Sequence, residues 1–266
     1  MPKCVTKVNA KDFRQIGTKL RDKVRRSEMK FEDKTEESVR IRTRDRQSRL
    51  EAMVQVGSDR NDVAIILTHP WGRLGGDMDF PIVKHLARFF GGLGFTVCRF
   101  NFRGVGGSTG SATFSARGEE EDLHSVIDYV TGKSKLHVSG PKIACKSVVL
   151  IGYSYGSIIA GSLAGRREEV CALATISYPY SWNWALALGN HARMLSSASS
   201  AKCGLWLMGT DDDFTSASSF MGLCRGLQGD AQAVLVEGQS HHWFQAELSV
   251  AGIIYDWLVK KGISNT

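Results

Sequence analysis

Six short, largely apolar runs, separated by stretches with helical periodicity, restrict the fold of this chain more than any other feature. They are Val63–Thr68 (VAIILT), Phe95–Phe100 (FTVCRF), Ser147–Ile151 (SVVLI), Val170–Ser177, Gly204–Met208 (GLWLM) and Ala231–Val236 (AQAVLV). A continuous apolar run of strand length marks a strand buried on both faces. Between them, Phe80–Phe90 and Glu119–Val130 carry apolar residues at three- and four-residue spacing, a further helix is expected from about Tyr155, and a final one from about Phe244 to Lys260. Strands alternating with helices imply a mainly parallel sheet covered on both faces. Ahead of them, Ser38–Arg44 (SVRIRTR) and Leu50–Val56 (LEAMVQV) alternate in the period-2 manner of an antiparallel hairpin. No run approaches the ~20 residues of a membrane-spanning helix. In open sheets of this type, chemistry lies beyond the carboxyl ends of the strands.

At one such end stands Gly152-Tyr153-Ser154-Tyr155-Gly156, which follows a buried strand and opens a helix. This is G-x-S-x-G in its required context: a tight turn lifts the serine hydroxyl clear of the sheet, and the glycines admit neighbouring backbone. A serine hydroxyl becomes a useful nucleophile only when a base takes its proton and an acid holds the base. Two later strand ends supply candidates in the order serine, acid, histidine. GLWLM ends in Gly209-Thr210-Asp211-Asp212-Asp213, and the last strand ends in Gly238-Gln239-Ser240-His241-His242. By residue type alone, any of the three aspartates and either histidine qualifies. A solvated turn accounts for the surplus acids, and packing or surface exposure for the surplus histidine.

An oxyanion needs two backbone N–H donors. Tyr155, next after the serine, is one candidate. The loop after VAIILT reads His69-Pro70-Trp71-Gly72, and since Pro70 has no N–H, Trp71 is the other. His69 precedes the serine, the wrong order for the base, and reads as a residue that braces its loop. Tyr178–Trp184 (YPYSWNW) can wall an open pocket or merely cover an apolar sheet edge.

The net charge of +7 is unevenly spread. Residues 1–49 hold 16 Lys+Arg against 8 Asp+Glu, and the remainder is close to neutral. In this segment Phe13, Ile16, Leu20 and Val24 recur at helical spacing among basic residues. Residues 1–37 are accordingly read as a basic, partly helical N-terminal extension before a domain over 38–266. Such a helix can pack its apolar stripe on its own domain, or dock on an anionic membrane surface or a protein partner. Little else supports nucleic-acid binding. The first residues lack the apolar core of a secretory signal, and the six cysteines show no CxxC spacing. Free thiols and a cytoplasmic setting are expected.

With these residues in view the chain resembles the small, nearly cap-less α/β hydrolases related to dienelactone-hydrolase-like and prolyl-peptidase-like proteins. The resemblance rests on His69–Pro81 (HPWGRLGGDMDFP), Arg99–Gly106 (RFNFRGVG), Ser108, Gly110, Gly118–Asp122 (GEEED) and Gly152–Ser157 (GYSYGS), and it covers roughly residues 38–260. It implies an α/β-hydrolase fold with little or no cap and a Ser-Asp-His triad. It also selects Asp212, by G-x-x-D before Phe214, and His241, by G-x-x-H after the last strand. Two departures stand out: relatives often carry HPHP where this chain has His69-Pro70-Trp71-Gly72, and dienelactone hydrolases use cysteine where it has Ser154. The expected activity is hydrolysis of an ester, thioester or amide of a small acyl substrate through an acyl-enzyme, with no metal or organic cofactor. A non-catalytic scaffold serving as an interaction module is the alternative, although such a scaffold would be free to lose Ser154, Asp212 or His241.

Overall fold

The computed structural model describes residues 5–25, 35–58, 62–136 and 138–263, the side chains of Val24, Arg25 and Val138 excepted. Cys4 lies outside the described residues. The strands, in chain order, are β1 (Val5–Val8), β2 (Glu37–Arg42), β3 (Arg49–Gln55), β4 (Val63–Thr68), β5 (Thr96–Phe100), β6 (Val138–Ser139), β7 (Ser147–Tyr153), β8 (Val170–Ile176), β9 (Cys203–Asp211) and β10 (Asp230–Ser240). The helices are α1 (Ala10–Arg25), α2 (Pro81–Gly92), α3 (Arg117–Val130), α4 (Tyr155–Ala164), α5 (Asn183–Leu186), α6 (His191–Ser199), α7 (Ala217–Arg225) and α8 (Glu247–Lys260). All ten strands form one sheet, in the order β1-β10-β9-β8-β7-β4-β5-β3-β2-β6. From β5 through β10 to β1 each neighbouring pair is parallel, while β3, β2 and β6 continue the other edge antiparallel.

The apolar runs work because successive side chains serve opposite layers. Along β4, Ala64 and Ile66 belong to the core beneath α3, α4, α6 and α7, whereas Ile65 and Leu67 belong to the core beneath α1, α2 and α8. On β7, Val148 and Leu150 face the first layer, Val149 and Ile151 the second. From β4 the chain crosses to β5 on one side and then to β7 on the other. The strand order reverses there, opening a crevice at the carboxyl ends.

The N-terminal segment is partly helical and packs on the domain, the first of the two readings above, and residues ahead of position 38 contribute a strand to the sheet. β1 pairs in parallel with β10 as an edge strand, Val5 opposite Ala233 and Val8 opposite Val236. α1 lies against α8 and β10, with Phe13 and Leu20 buried and Lys11, Arg14, Lys19, Arg21 and Lys23 exposed. Sixteen residues with so many charges hold this place because one narrow apolar stripe is enough to bury. Among the described residues no helix is long and apolar enough to cross a membrane.

Candidate active site

The turn from β7 into α4 forces Ser154 into a backbone conformation that L-residues seldom adopt, φ 53° and ψ −124°. Such strain persists only where surrounding structure over-determines it. Here Ser154 N–H donates to Ile176 O (2.9 Å), and Ser154 O accepts from Ser157 N (2.8 Å) and Ser157 Oγ (2.5 Å). The two motif glycines are required by close approach. A Cβ on Gly152 would meet Ser157 Cα at 2.5 Å, and one on Gly156 would press into the Thr68 and His69 carbonyls. The serine hydroxyl is thereby held at the carboxyl end of the sheet.

Asp212 follows the end of β9 and His241 follows the end of β10, and the two strands are neighbours in the sheet. His241 Nδ1 lies 2.8 Å from Asp212 Oδ2, and His241 Nε2 lies 2.9 Å from Ser154 Oγ. Asp212 Oδ1 accepts from the N–H groups of Phe214 (2.9 Å) and Thr215 (3.0 Å). Burial works to raise the pKa of this carboxyl. The hydrogen bond from His241 and its charge, with help from the Ser177 hydroxyl and the Phe214 N–H, nevertheless hold it below the ordinary carboxylate range. Asp212 is thus the acid that reaches the histidine, whereas Asp211 and Asp213 are exposed. The two histidines diverge as well. His241 is buried beneath Phe214, ring centroids 4.3 Å apart, while His242 is exposed and stacks on Phe244 at 5.3 Å.

The pocket above Ser154 is a cleft of about 90 Å³ lined by Pro70, Trp71, Tyr153, Tyr155, Leu186 and Phe214 among others. Trp71 and Tyr155, expected as oxyanion donors, both border it, and neither N–H finds an acceptor among the described residues. His69 is fully buried behind this loop. Its Nε2 accepts from Phe102 N–H (3.0 Å), so Nδ1 carries the proton and donates to Pro70 O (2.6 Å). Burial pushes its pKa down to about 4, against the pull of the Pro70 carbonyl, so the ring is neutral at pH 7. Tyr178–Trp184 does not form an aromatic wall. Pro179 lines the cleft, Tyr178 is buried against Trp206, and Trp182 and Trp184 stand exposed outside it.

Sequence reasoning passed over two residues that hold the site. The Tyr153 hydroxyl donates to His241 O at 3.0 Å. Ser177, at φ 51°, accepts from Trp243 Nε1–H at 2.9 Å while its hydroxyl supports Asp212. A polar residue immediately after a buried strand was the only signal available for Ser177.

A model of the alpha/beta hydrolase family matches residues 65–253, a span that contains the serine turn, Asp212 and His241. The chain belongs to the alpha/beta hydrolase family. A relative in Rickettsia prowazekii (strain Madrid E), the uncharacterized protein RP471, is 25% identical over 221 residues, covering 80% of this chain and 85% of its own length. Among solved structures, XC6422 from Xanthomonas campestris, described as an α/β serine hydrolase without lid, superposes with a TM-score of 0.70 at 21% identity, over 89% of this chain and 99% of its own. An alpha-beta serine hydrolase homologue from Coxiella burnetii gives 0.69 at 24% identity, over 84% and 97%. At these identities the likeness is one of fold. The alpha/beta-hydrolase fold here has no cap domain between β8 and β9, where α5 and α6 fill the connection.

Proposed function

We propose that this protein is a serine hydrolase that cleaves an ester, thioester or amide through an acyl-enzyme on Ser154. The observation that carries the reading is the unbroken hydrogen-bonded line Ser154 Oγ–His241–Asp212 opening into an apolar cleft. His241 Nε2 takes the hydroxyl proton as Oγ attacks the acyl carbon. The imidazolium so formed is held by the Asp212 carboxylate through Nδ1–H. Charge developing on the carbonyl oxygen is met by the N–H groups of Tyr155 and Trp71. When the tetrahedral intermediate collapses, the leaving group takes the proton from Nε2 and departs, leaving the acyl group on Oγ. Water then repeats the sequence, giving up a proton to His241 and releasing the acid. None of these steps requires a metal or organic cofactor.

The cleft admits a short apolar acyl end, which supports small acyl substrates. Labelling with a fluorophosphonate probe tests the reading. The wild-type protein is expected to be modified stoichiometrically, with loss of activity toward short p-nitrophenyl esters, and Ser154→Ala to be inert to both. Full ester turnover by a folded Ser154→Ala variant would overturn it.

A further inference from the structure

The hairpin edge of the sheet carries a second cavity, of about 470 Å³, lined by Arg40, Arg42, Arg49, Gly107, Thr109 and Ser139. Arg42 on β2 and Arg49 on β3 sit directly opposite each other in the antiparallel register. Like charges in that relation repel, and both side chains are exposed, open to a ligand from solvent. Among the described residues no carboxylate neutralises them. Glu51 is engaged with Asn101 (2.8 Å), the Gly107 N–H (2.6 Å) and, more loosely, Arg40 (3.7 Å). Asp45 is engaged with Thr43 (2.6 Å) and Arg103 (3.1 Å). Among the described residues the Arg42 and Arg49 guanidinium groups have no hydrogen-bond or ion-pair partner.

The hydroxyls of the cavity point the same way chemically. Thr109 Oγ accepts from Arg49 N–H (2.8 Å) and Ser139 Oγ from Arg40 N–H (3.1 Å), yet neither hydroxyl proton is donated to any described group. Each oxygen therefore retains one unspent donor. The Gly107 carbonyl is already taken by Arg40 Nη1 (2.6 Å). The cavity is rich in donors and poor in acceptors, the composition that suits a multiply charged oxyanion. Guanidinium groups match the tetrahedral oxygens of phosphate in bidentate fashion.

We propose that this cavity binds the phosphate group of a ligand, clasped between Arg42 and Arg49. This placement also gives the basic excess of residues 1–49 a function on the hairpin, independent of the chemistry at Ser154.

Isothermal titration calorimetry of the full chain with inorganic phosphate, at fixed ionic strength balanced with chloride, tests it. Saturable binding to one site is expected. Arg42→Gln and Arg49→Gln should each weaken it at least about tenfold, the loss of one charge-assisted pair. Arg225→Gln, an exposed arginine on α7, should leave it unchanged. Co-sedimentation with phosphatidylcholine vesicles, with and without phosphatidic acid, separates the sources of the phosphate. Retention by phosphatidic acid that free phosphate competes away identifies a lipid headgroup, and binding of free phosphate without retention identifies a soluble ligand. Either result supports the site. Absence of saturable phosphate binding, or equal weakening by Arg225→Gln, would overturn it and leave only diffuse surface charge.

Discussion

Replacing Asp212 with asparagine should disable this site through the tautomer of His241. Asp212 Oδ1 accepts two backbone N–H groups, from Phe214 and Thr215. In the Asp212→Asn variant the carbonyl oxygen must stay in that position, because an amide NH₂ there would face two donors. The NH₂ group then faces His241 Nδ1 and requires it to be an acceptor. The ring proton moves to Nε2, the nitrogen 2.9 Å from Ser154 Oγ, which can no longer accept the serine proton. To recover the working tautomer, the variant must forgo a hydrogen bond to a charged group, about 1.5–3 kcal/mol, and leave two buried donors facing each other, about 1–3 kcal/mol apiece. A penalty on the order of 5 kcal/mol corresponds to roughly 10³–10⁴ in kcat. Steady-state hydrolysis of p-nitrophenyl acetate measures it, with thermal unfolding to verify the fold. Asp211→Asn and Asp213→Asn, which alter exposed side chains, should stay within about twofold, as surface changes do. If Asp212→Asn retained activity within tenfold of wild type, the tautomer argument would be wrong.

Phe13→Ala should lower the free energy of unfolding by roughly 3 kcal/mol, read as a shift in urea midpoint, because Phe13 is buried against Trp243 at 5.8 Å between ring centroids; an unchanged midpoint would show that α1 is dispensable to the core. The folded protein resists protonating His69, with its pKa of about 4, more than an unfolded chain does near 6.5, so this contribution is full above pH 6.5 and is lost as pH falls toward 4. Between those limits the wild type should lose about 3 kcal/mol that His69→Gln does not lose; parallel stability–pH curves for the two would sink the assignment of a neutral, buried ring.

The central sheet was legible because its strands are buried on both faces and so consist of unbroken apolar residues, as in VAIILT and SVVLI. The elements that escaped detection have the opposite property. β1 is only VTKV, half of it polar, since an edge strand pairs on one side and has little to bury. α6 (HARMLSSAS) and α7 (ASSFMGLCR) are short and serine-rich, and their helicity depends on Met194, Phe220 and Leu223 docking into a core that the rest of the chain builds. At the site, Ser154, Asp212 and His241 could be read from chain order and strand ends. Ser177 and Tyr153 could not, because their contributions depend on a positive φ and on contacts 66 and 88 residues apart.

Those two residues also give the N-terminal segment a role that its charge pattern conceals. Phe13 on α1 meets the edge of Trp243, the Trp243 indole N–H donates to Ser177 Oγ, and the Ser177 hydroxyl supports Asp212. Trp243 itself adopts φ 53°, two residues beyond His241, so the loop that presents the histidine is held in a costly conformation. Tyr153 fixes the same loop from the strand side through the His241 carbonyl. A line of packing and hydrogen bonding therefore runs from α1 to Ser177, whose hydroxyl helps keep the Asp212 carboxyl ionised. Each link joins segments far apart in sequence, so the charge pattern of the N-terminal segment does not disclose it. In the folded protein Phe13 buttresses the loop that places His241 between Asp212 and Ser154.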